Sequence, residues 1–529
     1  MTAATLLYVA SIAFVAIAFT SPARKPNIVV IFADDFGFDV DCFGSPTTRT
    51  PNLNRMAAEA RSPSPFQYEN SERLTQIQGM KLTQYYSAHS ICSPSRAALL
   101  TGRYALRSGI YGNLTKIPPG TGDHRVVHPN CYGGLPSSES TVAELLRQNG
   151  YATMMIGKWH LGYSYEKPDQ LPTRHGFDVF YGTPYTHCEG PPNYPPVPVF
   201  SNETKIGRLG IDINTNDLVY DYNSEAMKFI ASQGAAGRPF FLYMALDNTH
   251  SQVYYPTNFT GYTRRGPFGD ATAALDWNVG MVLDALRALE LASNTLVLFT
   301  SDNGAWYVPS PLQAGTVGVY QGTYAAQHLG YTDTGKGSTW EGGFRVPAIA
   351  WWPGTISPGS MGENATGSLD LLPTLASLAN AKLPSDVVVD GQDFSPVLNA
   401  SKFAAALENY NASKVFYYYR GNKLMAARSG AHKVHFVTHS GFGHEPFVYH
   451  DPPLLFNVEI DPQERDLLPH SSIVAAIVAE ARQHNATLVP GAPQLDLIDY
   501  KAMDCGGLSV AESGCCTKAG GKCTTKIAF

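Results

Sequence analysis

Residues 26–33 read PNIVVIFA, a largely apolar, β-branched run that ends on two carboxylates, Asp34 and Asp35. A strand of that composition has no polar face to offer water, so it must be covered on both sides, as strands inside a parallel sheet are. The arrangement recurs along the chain. Residues 81–86 form a second strand that delivers Cys92, and residues 151–156 a third that runs into Gly157-Lys158-Trp159-His160-Leu161-Gly162. Residues 239–245 form a fourth that leads to Asp247-Asn248-Thr249-His250, and residues 295–300 a fifth before Ser301-Asp302-Asn303-Gly304. Helices are predicted over 50–60, 141–148 and 271–289. Strands alternating with helices, each leaving ionisable groups at its C-terminal end, predict an α/β fold. Its large central sheet is mostly parallel and flanked by helices, with a site along one edge.

The remaining segments divide the chain. Residues 61–79 are polar, proline-bearing and without clear period, and read as a surface loop. Lys336-Gly337 and Trp340-Glu341-Gly342-Gly343 form a glycine-rich loop before a strand at 346–352, and 370–379 read as helix. From about residue 411 the pattern changes to short strands at 414–420, 424–428 and 433–437, a smaller antiparallel subdomain. The expected division is a signal peptide over 1–22, a catalytic α/β domain over 23–410, and a C-terminal subdomain with a cysteine-rich tail over 411–529. The signal peptide rests on an apolar run at 6–19, too short to span a bilayer, followed by small residues; no Lys or Arg precedes it, which leaves an uncleaved anchor or a buried strand as alternatives.

Cysteine and asparagine usage point to the secretory route. Cys505, Cys515, Cys516 and Cys523 stand among Gly and Ser that build no core, so disulfides are the expected use; a metal knuckle has no nearby histidine and poor spacing. Asn-x-Ser/Thr sequons begin at Asn113, Asn202, Asn258, Asn364, Asn399, Asn411 and Asn485. With 44% hydrophobic residues, 16% charged residues and a net charge of −6, the chain is a globular protein and not a general polyanion binder; nucleic acid is excluded as a partner.

Three groups carry chemistry. The first is residues 92–103, CSPSRAALLTGR, read as a helix capped by Ser93, with Pro94 at its first position and Gly102 closing it. Cys92 then lies just outside, where free N–H groups favour an anion, either a thiolate or a substrate oxyanion; the alternative is a small buried cysteine. The second is Asp34, Asp35, Asp302 and the amide of Asn303, which would repel if assembled unless a hard cation, calcium or magnesium, joined them. Each alone reads equally as a turn cap. The third is Arg96, Lys158, His160, His250 and Lys336 at the same edge. An anionic ester held between such cations and a metal has its charge neutralised and its central atom opened to attack.

The run Cys92, Pro94, Ser95, Arg96, Leu100, Thr101, Gly102 and Arg103 resembles the signature of the type I sulfatases, in which this cysteine becomes Cα-formylglycine. Gly157 to Gly162, Tyr181-Gly182-Thr183-Pro184-Tyr185-Thr186-His187, Phe299 to Gly304, Gly335-Lys336-Gly337 with Glu341-Gly342-Gly343, and Pro452-Pro453-Leu454-Leu455-Phe456 extend the resemblance over nearly the whole chain after residue 25. It is strongest to the arylsulfatase A branch, and the Cys515-Cys516 pair fits that branch. The resemblance implies an alkaline-phosphatase-like fold and a sulfuric ester hydrolase. One calcium would be held by Asp34, Asp35, Asp302, Asn303 and the modified Cys92. Arg96 and Lys158 would orient the formylglycine hydrate, His160 would act as base, and His250 and Lys336 would grip sulfate and leaving oxygen. One hydroxyl of the hydrate would attack sulfur and expel the alcohol; His160 would then deprotonate the second, releasing sulfate and restoring the aldehyde. The implied partners are a sulfate ester and the formylglycine-generating enzyme, with a secreted or lysosomal destination through the endoplasmic reticulum; homo-oligomerisation is left open. Two departures stand out: the 61–79 loop is longer than the family's connection, and Thr186 replaces Ser. Two rival readings are a phosphodiesterase or phosphonate hydrolase of the same fold, disfavoured by the absence of a second-metal ligand set, and a secreted glycoprotein that keeps the scaffold with little turnover.

Overall fold

The computed structural model describes residues 24–57, 79–114, 125–163, 168–190, 194–307, 310–399, 404–443, 445–469 and 471–498. The expected signal peptide, nearly all of the 61–79 loop and the four tail cysteines lie outside them.

The central sheet has ten strands: β1 (Asn27–Ala33), β2 (Gly79–Leu82), β3 (Ala152–Lys158), β4 (Val179–Thr183), β5 (Pro198–Ser201), β6 (Thr204–Arg208), β7 (Phe240–Leu246), β8 (Thr295–Ser301), β9 (Ala348–Trp351) and β10 (Ser360–Gly362). Their order is β10-β2-β9-β8-β1-β7-β3-β4-β5-β6. The five strands from β8 to β4 run parallel, and β9 and β5 attach antiparallel at either side. The second expected strand is shorter than its sequence suggests. A turn at Thr83-Gln84 ends β2, and Tyr85-Tyr86 pair instead with Thr366-Gly367 in a separate two-stranded ladder.

All seven residues of β1 are buried, and they alternate between two cores. Ile28, Val30 and Phe32 pack in one cluster with Leu99, Leu100, Val142, Leu146, Leu372 and Leu375, which belong to α2 (Cys92–Thr101), α3 (Val142–Gln148) and α6 (Leu371–Leu378). Val29, Ile31 and Ala33 pack in the other with Leu53, Phe229, Val279 and Leu283, from α1 (Pro51–Ala57), α4 (Leu218–Ala236) and α5 (Pro267–Ala288). The result is a sheet between two helical layers, as its two-sided apolar strands require.

A second sheet joins β11 (Val415–Arg420), β12 (Lys423–Ser429), β13 (His432–Thr438) and β14 (Val448–Asn457), all antiparallel, with α7 (Ser472–Thr487) packed on it. Its fourth strand and α7 were not legible in the sequence, since Val448–Asn457 opens with alternating exposed residues around Pro452 and Pro453. Among the described residues no helix is long and apolar enough to cross a membrane.

Candidate active site

Sheet register explains why distant segments meet. Ala33 pairs with Leu246 on one side and Ser301 on the other, and Gly157 pairs with Ala245. The C-terminal ends of β1, β7, β8 and β3 therefore lie side by side, and Asp34, Asp247, Asp302 and Lys158 emerge together. Asp35 turns the chain with φ 52°, and His160 does so with φ 58°. Left-handed backbone is unfavourable for residues with a Cβ and tends to be tolerated at functional sites.

Cys92 is brought to the same place by α2, and here the sequence reading is corrected. The helix is capped by Ile91, so Cys92 is its first residue and not an outside neighbour. Ser93 does not cap it; its hydroxyl accepts from the Val127 N–H over 3.0 Å. Gly102 closes the helix in the left-handed conformation, as expected. Cys92 is 1% exposed, with Sγ 3.5 Å from Asp34 Oδ1 and 3.9 Å from Asp35 Oδ1. Burial, only partly opposed by Lys158 and Lys336, pushes its thiol well above the usual range, so the helix end does not produce a thiolate.

Each carboxylate has its own cations. Lys158 Nζ donates to Asp34 Oδ2 over 2.6 Å, and Lys336 Nζ to Asp35 Oδ2 over 2.7 Å. Arg96 donates to Asp302 Oδ2 from Nε at 3.2 Å and from Nη2 at 2.8 Å, and its Nη2 is 3.3 Å from Asp34 Oδ1. Burial would raise the pKa of Asp34, but Lys158 and then Arg96 hold it well below the usual carboxylate range. Burial and the neighbouring Asp34 charge push Asp302 up to about 7 in spite of Arg96. Asn303 donates from Nδ2 to Asp35 Oδ1 over 2.8 Å.

His250 Nε2 lies 3.3 Å from Asp35 Oδ2 and 3.3 Å from Lys336 Nζ, and burial lowers its pKa to about 4. His160 is also buried, and burial followed by the Lys158 charge lowers its pKa to about 3. Ligand atoms of Asp34, Asp35, Cys92 and His250 all lie within 4.8 Å of one another. All six residues read as catalytic and all five read as metal ligands are thus brought to one buried cluster. Asp302 stands slightly apart in it, engaged by Arg96 and, through Oδ1, by the Asp35 N–H at 3.1 Å.

The sequence reading missed the turn that follows Thr186-His187. There His187 Nδ1 meets Asp247 Oδ2 at 3.0 Å, Cys188 Sγ is 3.6 Å from His250 Nδ1, and Glu189 Oε1 is 2.8 Å from His128 Nδ1. Cys188 and Glu189 directly follow the segment matched to the family, which was the only signal available. Among the described residues Cys42, Cys92, Cys131 and Cys188 are free.

Residues 26–381 match the sulfatase family model, and residues 411–525 match that of the C-terminal region of aryl-sulfatase. The chain belongs to the sulfatase family. This sulfatase is 36% identical over 536 residues to N-acetylgalactosamine-6-sulfatase of Canis lupus familiaris, covering 95% of this chain and 92% of the relative. It is 38% identical over 475 residues to arylsulfatase A of Homo sapiens, covering 84% and 83%. The crystal structure of the PsFucS1 sulfatase from Pseudoalteromonas sp. shares the fold, with a TM-score of 0.69 at 24% identity over 90% of this chain and 92% of that one. Family and relatives support hydrolysis of a sulfuric ester.

Proposed function

We propose that the protein cleaves sulfate monoesters with residue 92, converted to formylglycine, as nucleophile and one calcium ion beside it. The observation that carries the reading is the placement of Cys92 at once against Asp34 and Asp35 and within a ring of Arg96, Lys158 and Lys336. The donor set fits a hard cation: carboxylates of Asp34, Asp35 and Asp302, and the Asn303 Oδ1, which is buried without a hydrogen-bond partner. These residues and residue 92 would hold calcium, which supplies charge neutralisation and fixes sulfate oxygens. Conversion of Cys92 supplies a hydrated aldehyde with two hydroxyls.

The rest of the chemistry falls to the chain's own side chains. Arg96 and Lys158 flank position 92 and orient it. Lys336 and His250, in mutual contact, grip the sulfate and the departing oxygen. His160, neutral at physiological pH because it is buried beside Lys158, accepts the proton of the second hydroxyl. The sequons, and the cysteines outside the described residues, support a glycosylated, disulfide-bonded protein routed through the endoplasmic reticulum, where the converting enzyme acts, to lysosome or exterior.

Peptide mass spectrometry of protein from a eukaryotic host tests the conversion: the residue 92 peptide is expected as aldehyde, and thiol alone in active protein overturns the reading. A panel of an aryl sulfate, N-acetylgalactosamine 6-sulfate and an aryl phosphate separates the activity from its rivals. Sulfate turnover above phosphate turnover is expected; the reverse would assign a phosphorus ester hydrolase, and no turnover of any would leave a scaffold protein.

A further inference from the structure

His160 is buried with neither ring nitrogen hydrogen-bonded, and it stands beside the cations Lys158 and Arg96, which oppose its protonation. A base so placed needs something to fix which nitrogen carries the proton, and something to meet the positive charge it gains. Glu189 is the anion on hand. Its Oε2 is buried without a partner and lies 3.8 Å from His160 Nε2, an ion-pair distance longer than a hydrogen bond. Its Oε1 is held by His128 Nδ1 at 2.8 Å, and the His128 ring is stacked on Tyr194 with centroids 5.9 Å apart. A backbone bond from the Glu189 N–H to Thr186 O at 3.0 Å closes the turn that presents it. Burial would raise the Glu189 pKa, but His128 and His160 hold it well below the usual carboxylate range, so the group is an anion at every working pH.

We propose that Glu189, anchored by His128, is the positioning residue of His160. Its carboxylate keeps the imidazole proton on Nε2, leaves Nδ1 as the basic nitrogen, and faces the imidazolium once Nδ1 has taken a proton. The logic is that of a carboxylate orienting a catalytic histidine from behind. The inference rests on the reading of His160 as the base. The proton comes from a hydroxyl on residue 92 and goes to Nδ1; the electron pair it leaves forms the carbonyl as sulfate departs with the C–O pair.

The test has a readout independent of turnover. In full-length Cys92→Ser protein with 15N-labelled histidine, the His160 resonances, assigned by their loss in His160→Gln, should show the Nε2–H tautomer. Glu189→Leu should turn this into a mixture or into the Nδ1–H form, and His128→Phe, which leaves His160 untouched, should move it in the same direction. In the converted enzyme, Glu189→Gln should lower kcat about 10- to 100-fold with KM nearly unchanged. An unchanged tautomer in both Glu189→Leu and His128→Phe overturns the proposal. Full turnover by His160→Gln would instead sink the reading of His160 as base, and the two failures are distinguishable.

Discussion

Asn303 donates to Asp35 over 2.8 Å from its Nδ2, and the same orientation leaves its Oδ1 buried with no partner. An orphaned buried acceptor costs about 1–3 kcal/mol, so its persistence points to a group that the protein side chains do not supply. Charge agrees. Once Asp302 is ionised, as a metal ligand must be, the carboxylates of Asp34, Asp35 and Asp302 are balanced by Arg96, Lys158 and Lys336, all six buried. A divalent cation tips this balanced cluster to net positive charge, which suits an anionic sulfate ester.

Asp302→Ala should therefore lose bound calcium and activity together. It removes one of the few anionic donors and also frees Arg96 from its two contacts with Asp302 Oδ2. Calcium affinity, measured by titration calorimetry, should fall by more than the roughly 10- to 100-fold that loss of an outer partner costs. Wild-type calcium content with wild-type turnover in this variant would show that Asp302 only caps its turn.

Lys433→Met tests a different dependence, that of the 335–343 loop on the C-terminal sheet. Lys433 Nζ lies 3.0 Å from Glu341 Oε1 and 3.0 Å from Glu464 Oε1, with all three side chains fully buried. Glu464 also accepts from the Glu341 N–H at 2.6 Å and contacts His435 Nε2 at 2.7 Å. Burial opposes ionisation of Glu341, yet Lys433 and Arg345 hold its pKa near 2. Removing the cation leaves two buried carboxylates facing each other, so urea unfolding should show a loss of about 3–5 kcal/mol. A loss under about 1 kcal/mol would mean that the cluster admits water.

These two clusters show what the sequence can and cannot carry. Asp34, Lys158 and Asp302 were legible because each stands at the C-terminal end of a strand whose apolar composition announces itself, and sheet register then assembles them without further information. Arg96 and Cys92 were legible through a motif, although their helix begins two residues earlier than capping preferences suggest, because Ser93 engages Val127 instead. Lys433, Glu464 and Glu189 were not legible. Their partners lie far away in sequence or in an irregular turn, and a charged residue in a strand or turn reads as solvated until packing shows it to be buried.

His175 offers a pH test away from the proposed metal site. It is 2% exposed, its Nδ1 has no partner, its ring lies 5.5 Å from that of Trp159, and burial lowers its pKa to about 4. The unfolded chain binds the proton more readily, with a pKa near 6.5. The stabilising effect is thus complete above that value and lost as pH falls through the window down to about 4. His175→Phe removes this term, so the fall in unfolding free energy between pH 7 and pH 5 should be about 2 kcal/mol smaller than in the wild type. Equal pH dependence in the two proteins would place the proton on His175 in the folded state.

Cys92→Ser separates the two halves of the proposed reaction. In a eukaryotic host the serine should escape conversion, and it supplies one hydroxyl where the hydrated aldehyde supplies two. Attack on sulfur needs only one, and Lys158, Arg96 and Lys336 remain in place to neutralise the ester. The serine can then take the sulfate and release the alcohol, but it has no second hydroxyl from which His160 removes a proton, and elimination stops. Turnover should fall to little or none, and the peptide containing residue 92 should gain the mass of a sulfate ester after incubation with an aryl sulfate. Because a serine lacking the geminal hydroxyl is a weak nucleophile, the adduct should accumulate slowly, and the incubation is best followed over hours by mass spectrometry. Sustained turnover by the serine form without any adduct would show that water attacks sulfur directly, and the two-hydroxyl mechanism would not apply to this sulfatase.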